Sequence, residues 1–207
     1  MVTMGEFFDL IPPELLPWIE GGIFMHELGH NLSLHHGGYE ARNYKPNYIS
    51  VMNYIYVYSG ISSAALPGST VEVSRRLDYS DRALPTLDEG HLDENVGVSA
   101  GNNDIVHYVS ADPSNPTEGL GPGIGPIDWN CNGVIESDIQ ADINLDFDYD
   151  PNYPFTLLTG FDDWAQIHAF LNTPQYRNRM LPQNPEIIGC GPGRTAFSES
   201  FRALPHN

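Results

Sequence analysis

The chain has 207 residues, and its 27 acidic and nine basic side chains give a net charge of −18. Such a charge argues against nucleic acid as a partner because the phosphates would be repelled, and no stretch approaches the roughly 20 apolar residues of a membrane span. The length and a hydrophobic content of 41% indicate one globular domain over residues 1–207. The 20 glycines and 17 prolines are spread along the chain and predict short elements joined by many loops.

The first predicted element is a helix over residues 18–34, whose apolar residues have helical spacing along one flank. The pair Gly37-Gly38 then breaks the pattern. Residues 48–58 are rich in tyrosine and β-branched types and predict a turn that leads into extended chain. The apolar flank of the helix consists of Ile19, Ile23, Met25, Leu28 and Leu32.

Three later segments carry local signals. Thr86 and Glu89 have the spacing of a capping box, which predicts a short helix over residues 86–95. Residues 119–126 are rich in glycine and proline and predict a loop. Residues 162–171 predict a last amphipathic helix, and its inward side chains are Trp164, Ile167, Phe170 and Leu171.

The most informative segment is HELGHNLSLHH, residues 26–36. His26 and His30 are four residues apart, about one turn along a helix and about 40° around it, so both imidazoles can reach one metal ion. Glu27 lies between them and can point at a metal-bound water without being a ligand. A catalytic zinc site normally has three protein ligands and a water, so this pair predicts a third ligand nearby.

His36 is the better candidate for that ligand, provided that the helix ends before it. In a continuous helix His36 would lie about 15 Å beyond His26 along the axis, whereas a Zn–N bond is about 2.1 Å long. The chain must therefore turn sharply near Ser33, and Gly37-Gly38 adds backbone freedom there. The adjacent His35 is expected to face solvent, and the alternative is that it shares or replaces the role of His36.

These residues resemble the long zinc motif of the metzincin metallopeptidases, HExxHxxGxxH, with His26, Glu27, His30 and His36 on the matching positions. Ser33 stands where the family has glycine. The left-handed backbone that glycine permits there costs a serine about 1–2 kcal/mol, and metal binding contributes several times as much.

A second segment, Ser50-Val51-Met52-Asn53-Tyr54, resembles the methionine turn of the same family. The resemblance implies that Met52 forms an apolar floor under the three imidazoles, and that Tyr54 bonds the transition state or ligates zinc at rest. The alternative is that Met52 and its tyrosines are plain core. Residues 45–54 and 77–80 are similar to segments of pappalysin-like and uncharacterised microbial metzincins, and the similarity covers about residues 20–95.

The resemblance implies an α+β, loop-rich catalytic domain with zinc-dependent endopeptidase activity on a peptide or protein substrate. Glu27 would be the general base for a zinc-activated water, and Tyr54 a second stabiliser of the oxyanion. Metzincins normally carry a sheet subdomain before the active-site helix, whereas only 25 residues precede His26. We therefore expect that subdomain to be largely missing, with Met1–Gly5 as a candidate strand remnant, and we expect poor cleavage of peptides.

The alternative function is a catalytically weak or inactive metal-binding module of a larger extracellular protein. The intact Glu27 favours the enzyme, and the short segment before His26 favours the module. In both cases we expect a secreted or extracellular protein, although the sequence begins MVTMGEFFDL, which lacks a signal-peptide pattern.

An acidic segment over residues 128–150 predicts a calcium site. Oxygen-bearing side chains alternate and a glycine follows, as in the first part of an EF-hand-type loop. The twelfth position is Ile139, with Asp138 one position early, so a solvated turn is an equal alternative. The predicted ligands are Asp128, Asn130, Asn132, Glu136 and Asp138, and Asp142, Asn144, Asp146, Asp148 and Asp150 are candidates to complete the site.

The roles of the two cysteines and of the histidines outside the motif are less closely defined by the sequence. Cys131 and Cys190 form one bridge if the protein is exported, or remain buried thiols. Four other histidines lack metal-binding spacing and are expected at the core edge or on the surface: His91, His107, His168 and His206.

Overall fold

The computed structural model of the chain describes residues 11–63, 74–98, 104–110, 117–144 and 155–176. The described helices are α1 (Leu16–Asn31), α2 (Tyr54–Val57) and α3 (Asp163–Leu171). The described strands are β1 (Ile61–Ser63), β2 (Ser74–Arg76), β3 (Leu87–Asp88), β4 (Leu92–Asp93), β5 (Ile105–Ser110), β6 (Thr117–Pro122), β7 (Ser137–Ile139) and β8 (Leu157–Leu158). This mixture of helices and small antiparallel sheets is the α+β class that was predicted.

The strands pair as four separate antiparallel ribbons: β1 with β2, β3 with β8, β4 with β7, and β5 with β6. The longest ribbon is the β5–β6 hairpin, in which Ile105 lies opposite Pro122 and Ser110 opposite Thr117. The chain divides into two compact units, Met1–Phe170 and Leu171–Asn207. The candidate site lies in the first unit. None of the described helices has both the length and the apolar character needed to cross a bilayer.

Helix α1 buries an unusual stripe of small and polar residues. Its buried positions are Gly22, His26 and Gly29, which follow helical spacing. A Cβ at Gly22 would collide with the backbone oxygen of Val57, so the helix packs closely on α2 because that position has no side chain. The apolar flank that was predicted for this helix is only partly right, since Leu28 is 39% exposed.

Two clusters of buried side chains form the core. The larger cluster surrounds Trp129 and Tyr56 and joins β1, the β5–β6 hairpin and the strands β3, β4 and β8. The smaller cluster lies beneath α1 and supports the segment that carries the histidines. Its buried members are Leu34, Tyr48, Val51, Met52, Tyr79 and Ile167.

Residues 86–95 do not form the helix that the capping box predicted; they form β3, a turn and β4. Glu89 is 1% exposed and accepts hydrogen bonds from the backbone N–H groups of Ile143 and Thr156, at 2.9 Å each. These partners are 54 and 67 residues away along the chain. The local signal was overridden because distant backbone donors bind the carboxylate that a helix cap would have used.

Other predicted elements need smaller corrections. Residues 50–54 are called the methionine turn below because of their resemblance to that feature. After them the chain forms α2, whose first turn is capped by the Asn53 side chain, and it becomes extended only at β1. Residues 119–126 include the end of β6 and are not all loop. In α3 Ile167 is buried as predicted, but Trp164 and Leu171 are 38% and 37% exposed. Trp164 stays at the surface because its ring N–H donates to Asp78.

Candidate metal centre

Three histidines, His26, His30 and His36, converge at the end of α1. One nitrogen from each ring lies within 4.8 Å of the others, and the ring centroids are 4.8, 5.2 and 4.9 Å apart. His26 is 4% exposed, whereas the other two rings are more open. Within the described part of the chain, this is the one group of three His, Cys, Asp or Glu side chains placed closely enough to hold an ion.

Backbone carbonyls orient two of the three rings. His26 Nδ1 lies 2.9 Å from the Val51 oxygen, and His30 Nδ1 lies 2.9 Å from the Leu34 oxygen. A carbonyl oxygen only accepts hydrogen bonds, so both Nδ1 atoms donate, and in the neutral form of each ring the lone pair is on Nε2. Histidines that bind metals are commonly held in this tautomer by such a bond.

The surroundings also favour neutral imidazoles. Burial lowers the pKa of His26, and the nearby His30 acts in the same direction, while the bond to Val51 opposes them. Burial likewise lowers the pKa of His36, helped by its histidine neighbours. Because a protonated imidazole cannot ligate a metal, these shifts keep both rings available as ligands at neutral pH.

A Schellman turn returns His36 to the cluster. Ser33 has a φ of 68°, in the left-handed region, as the motif predicted for this position. Its N–H donates to the His30 oxygen at 3.1 Å, and the Leu34 N–H donates to the Gly29 oxygen at 3.0 Å. These two bonds are the pair that closes a helix in this motif. The sharp turn predicted near Ser33 is confirmed.

Beyond this turn, His35 is exposed and stands outside the cluster, as expected. Its backbone pairs with that of Gly38, which has a φ of 89°. The glycine at position 38 therefore permits the tight bend that follows His36.

The methionine turn lies directly against α1. The Asn53 N–H donates to the Ser50 oxygen at 3.0 Å and closes the turn, and Met52 is fully buried. A Cβ at Gly29 would collide with the sulfur of Met52. Gly29 is the residue before His30, so the missing side chain lets Met52 pack beneath the segment that carries two of the histidines.

Tyr54 packs onto the cluster from the other end of this turn. Its ring centroid lies 4.4 Å from that of His36 and 5.2 Å from that of His26. Burial raises the pKa of Tyr54, and the charge of Glu27 adds to the shift, so the phenol keeps its proton at neutral pH. Glu27 is on the exposed face of α1, and its charge also acts on both of these histidines.

Lys45 ties the loop after His36 to the chain before the methionine turn. It is the single lysine of the sequence, and it is fully buried. Its ammonium group donates to the Gly37 oxygen at 2.8 Å, to Glu40 Oε1 at 2.8 Å and to the Thr159 oxygen at 2.6 Å. Burial lowers the pKa of Lys45, and Glu40 opposes the shift. No sequence pattern predicted a role for Lys45, which is notable in the sequence because it is the single lysine.

Asp163 joins the start of α3 to the methionine turn. This fully buried carboxylate accepts hydrogen bonds from Tyr48 Oη at 2.7 Å, from Ser50 Oγ at 2.6 Å and from the Ser80 N–H at 3.1 Å. Burial raises the pKa of Asp163, and these donors oppose the shift. No sequence pattern predicted a role for Asp163, because nothing local links it to residues 83 or more positions away.

The predicted calcium segment is closed by its own hydrogen bonds. Asp128 accepts from the N–H groups of Asn132 at 3.1 Å and Gly133 at 2.7 Å, and the Asn132 side chain donates to Glu136 at 2.7 Å. Asp138 instead contacts His91 Nδ1 at 2.6 Å. The described acidic side chains of this segment do not form a group of three close enough for one ion.

A buried carboxylate outside the predicted calcium segment also accepts hydrogen bonds from backbone N–H groups of that segment. Glu94 is fully buried and accepts from the N–H groups of Trp129 at 2.7 Å and Glu136 at 2.9 Å. Asn130 lies within the loop that Glu94 closes. Calcium binding stays a prediction, since Asp146, Asp148 and Asp150 lie outside the described residues.

The other predicted residues take no part in the cluster. The ring of His107 packs against that of Tyr56 with centroids 5.4 Å apart, and His168 lies beside Trp164. Cys131 is exposed, so it is not the buried thiol of the second alternative. Three predictions fall outside the described residues, namely those on Cys190, His206 and Met1–Gly5. The pairing of the two cysteines therefore stays open.

The fold and the site together define an α+β protein with a three-histidine cluster that could hold a metal ion. Neither models of protein families, nor curated proteins, nor solved structures match the chain. The interpretation of the cluster therefore depends on its own geometry.

Proposed function

We propose that this chain is a metzincin-type zinc peptidase, with zinc held by His26, His30 and His36. The observation that carries the proposal is the convergence of three imidazoles, two of which present Nε2 because carbonyls hold their Nδ1 atoms. Three neutral imidazoles are a frequent ligand set for catalytic zinc and leave a fourth position for water. Two nitrogens bound to one zinc are at most about 4.2 Å apart, so small rotations of the rings bring them to coordination distance.

In this proposal, residues around the cluster carry out the proton transfers and the charge stabilisation of peptide hydrolysis. A zinc ion held by His26, His30 and His36 would supply an activated water as the nucleophile at neutral pH. Glu27, on the open face of α1, accepts the proton of the attacking water and delivers it to the leaving amine. Tyr54 remains protonated and donates a hydrogen bond to the developing oxyanion.

We also propose a substrate class, a cellular location and a second metal for this enzyme. Its substrate is a peptide or protein, its location is extracellular, and calcium is a second metal candidate at Asp128, Asn130, Asn132, Glu136 and Asp138. The strongly acidic composition, with a net charge of −18, supports a cation-binding protein.

Metal analysis combined with cleavage of a quenched peptide library tests this function. We expect about one zinc per chain and a loss of cleavage by a factor of about 100 or more in Glu27→Gln, with zinc retained. The matched control is Glu20→Gln, an exposed glutamate on the same helix, and this variant should cleave as fast as the unmutated chain. Zinc binding with cleavage that is absent or indifferent to Glu27 would support the metal-binding module, and the absence of zinc binding would refute both functions.

A further inference from the structure

Tyr54 packs on the histidine cluster without being buried. Its ring centroid lies 4.4 Å from that of His36 and 5.2 Å from that of His26, yet the side chain is 41% exposed. Exposed side chains exchange rotamers within nanoseconds unless their neighbours restrain them. A group that donates to a developing oxyanion has to stay in place, because a displacement of about 1 Å can cost a factor of about 100 in rate. The proposed role of Tyr54 therefore needs a restraint from outside the core.

The first restraint acts on the backbone of Tyr54. This residue begins α2, so its N–H has no acceptor within the helix. The side chain of Asn53, which caps the helix, accepts from the Ile55 N–H at 3.2 Å. The Tyr54 N–H donates instead to Asn43 Oδ1 at 3.0 Å, across 11 residues of chain. Asn43 is 8% exposed, so water competes little for this hydrogen bond.

The second restraint acts on the ring of Tyr54. The same Asn43 oxygen accepts from the Tyr44 N–H at 2.8 Å, and Tyr44 has a φ of 58°, in the left-handed region. That backbone costs a residue with a side chain about 1–2 kcal/mol and persists only where the surroundings enforce it. The rings of Tyr44 and Tyr54 have centroids 6.3 Å apart and planes at 63°, an edge-to-face contact. One amide oxygen thus holds the backbone of both tyrosines.

Asn43 is itself on a firm support. Two residues later, the buried Lys45 donates its ammonium hydrogen to the Gly37 oxygen at 2.8 Å, and its own carbonyl accepts from Asn53 Nδ2 at 3.0 Å. Residues 43–45 therefore connect the loop that follows His36 with the start of α2. A restraint at Asn43 fixes Tyr54 relative to the same loop that presents His36.

We propose that Asn43 is a positioning residue for Tyr54: its side-chain oxygen holds the Tyr54 backbone and the supporting Tyr44, so that the Tyr54 phenol stays at the histidine cluster. The proposal rests on the proposed peptidase function, in which Tyr54 donates to the oxyanion, and it adds a residue that does not touch the substrate.

The first test observes the position of the Tyr54 ring without any cleavage. An aromatic ring stacked on His36 shifts the NMR signals of the His36 ring protons, and Tyr54→Leu gives their positions without that ring. At one fixed pH, Asn43→Ala in the full chain should move these signals toward the Tyr54→Leu positions. Asn43→Asp keeps an acceptor oxygen and should leave them unmoved.

Two further variants separate positioning from stability. Tyr44→Asn removes the supporting ring, but asparagine tolerates the left-handed backbone, so this variant should fold and still move the His36 signals. The matched control is Asn47→Ala in the same segment. Asn47 is 1% exposed and donates to the oxygens of Pro85 and Leu158 at 2.8 and 2.7 Å. Its loss should lower stability and leave the His36 signals in place.

The second test is a double-mutant cycle on the zinc-loaded full chain, with one peptide that the unmutated chain cleaves. We expect Asn43→Ala to lower kcat about tenfold with little change in KM, and to have no further effect in a Tyr54→Phe background. Asn43→Asp should restore most of the lost kcat.

The two tests fail in different ways. Equal losses of kcat in both backgrounds, or His36 signals that stay in place in both Asn43→Ala and Tyr44→Asn, would overturn the positioning role. Moved His36 signals without any cleavage by the unmutated chain would refute the peptidase and retain the restraint of Tyr54 by Asn43.

Discussion

Met52 lies against Gly29 so closely that any side chain at position 29 would collide with its sulfur. The contact joins the histidine helix to the methionine turn, because Gly29 is the neighbour of His30 and Met52 is fully buried. The Val51 carbonyl, one residue before Met52, orients His26. The packing of the turn and the geometry of the three histidines are therefore coupled.

Gly29→Ala should separate the helix from the turn. Overpacking of a tight contact costs about 1–3 kcal/mol, and we expect a loss of stability of about 2 kcal/mol together with weaker zinc binding. Urea unfolding with and without zinc measures both effects. The control is Gly21→Ala on the same helix, where a Cβ would lie 3.1 Å from the flexible Leu77 side chain. It should be neutral or slightly stabilising, and equal losses in the two variants would contradict the argument.

Ser33→Gly should stabilise the metal-free chain. Ser33 has a φ of 68°, a conformation that costs a residue with a side chain about 1–2 kcal/mol and glycine little. We expect a gain of about 1 kcal/mol in urea unfolding, reduced by the greater flexibility of glycine in the unfolded chain. Ser62→Gly in β1 is the matched control and should lose stability. A loss in Ser33→Gly would show that the turn depends on the serine side chain.

Lys45→Met should loosen the loop that follows His36. The change removes the donor for the Gly37 and Thr159 oxygens, and it leaves Glu40 with the hydrogen bond from the Thr159 hydroxyl but without the ammonium. We expect a loss of about 3 kcal/mol, because the acceptors remain partly buried after their partner is removed. Glu40→Gln keeps an acceptor for the ammonium and should lose about 1 kcal/mol. Denaturant unfolding and zinc titration measure the effect, and a neutral Lys45→Met would refute this role.

In the metal-free chain, the pKa values of the clustered histidines and of His91 should be shifted in opposite directions. Burial lowers the pKa of His26 and of His36, so their NMR midpoints should fall below about 6.5. Asp138 raises the pKa of the exposed His91, whose midpoint should lie above that value. In Asp138→Asn the His91 midpoint should return toward about 6.5, which provides the control.

The stability of the metal-free chain should depend on pH through His26 and His36. Just below pH of about 6.5 the unfolded chain binds more protons than the folded chain at His26 and His36, so their contribution to stability falls as the pH falls through this window. Zinc affinity should fall in the same direction, since protons compete for the ligand nitrogens. Midpoints of both rings above that of His91 would contradict the assignment of buried, neutral ligands.

The sequence by itself determined the features that depend on neighbouring residues. The spacing of His26 and His30 and the need for a turn at Ser33 follow from helix geometry, and the structure has α1 over Leu16–Asn31 with its left-handed residue at that position. The helix α3 was predicted within one residue of its observed bounds for the same reason. Such features are decided by interactions within a few residues.

Only the tertiary structure decided which polar groups are buried. Charged side chains are expected at the surface from their residue type alone. Four of them are nevertheless at most 1% exposed: Lys45, Glu89, Glu94 and Asp163. Their partners include backbone groups 114, 67, 42 and 83 residues away. A buried charge is tolerated only where distant donors or acceptors meet it, and no local pattern encodes that meeting.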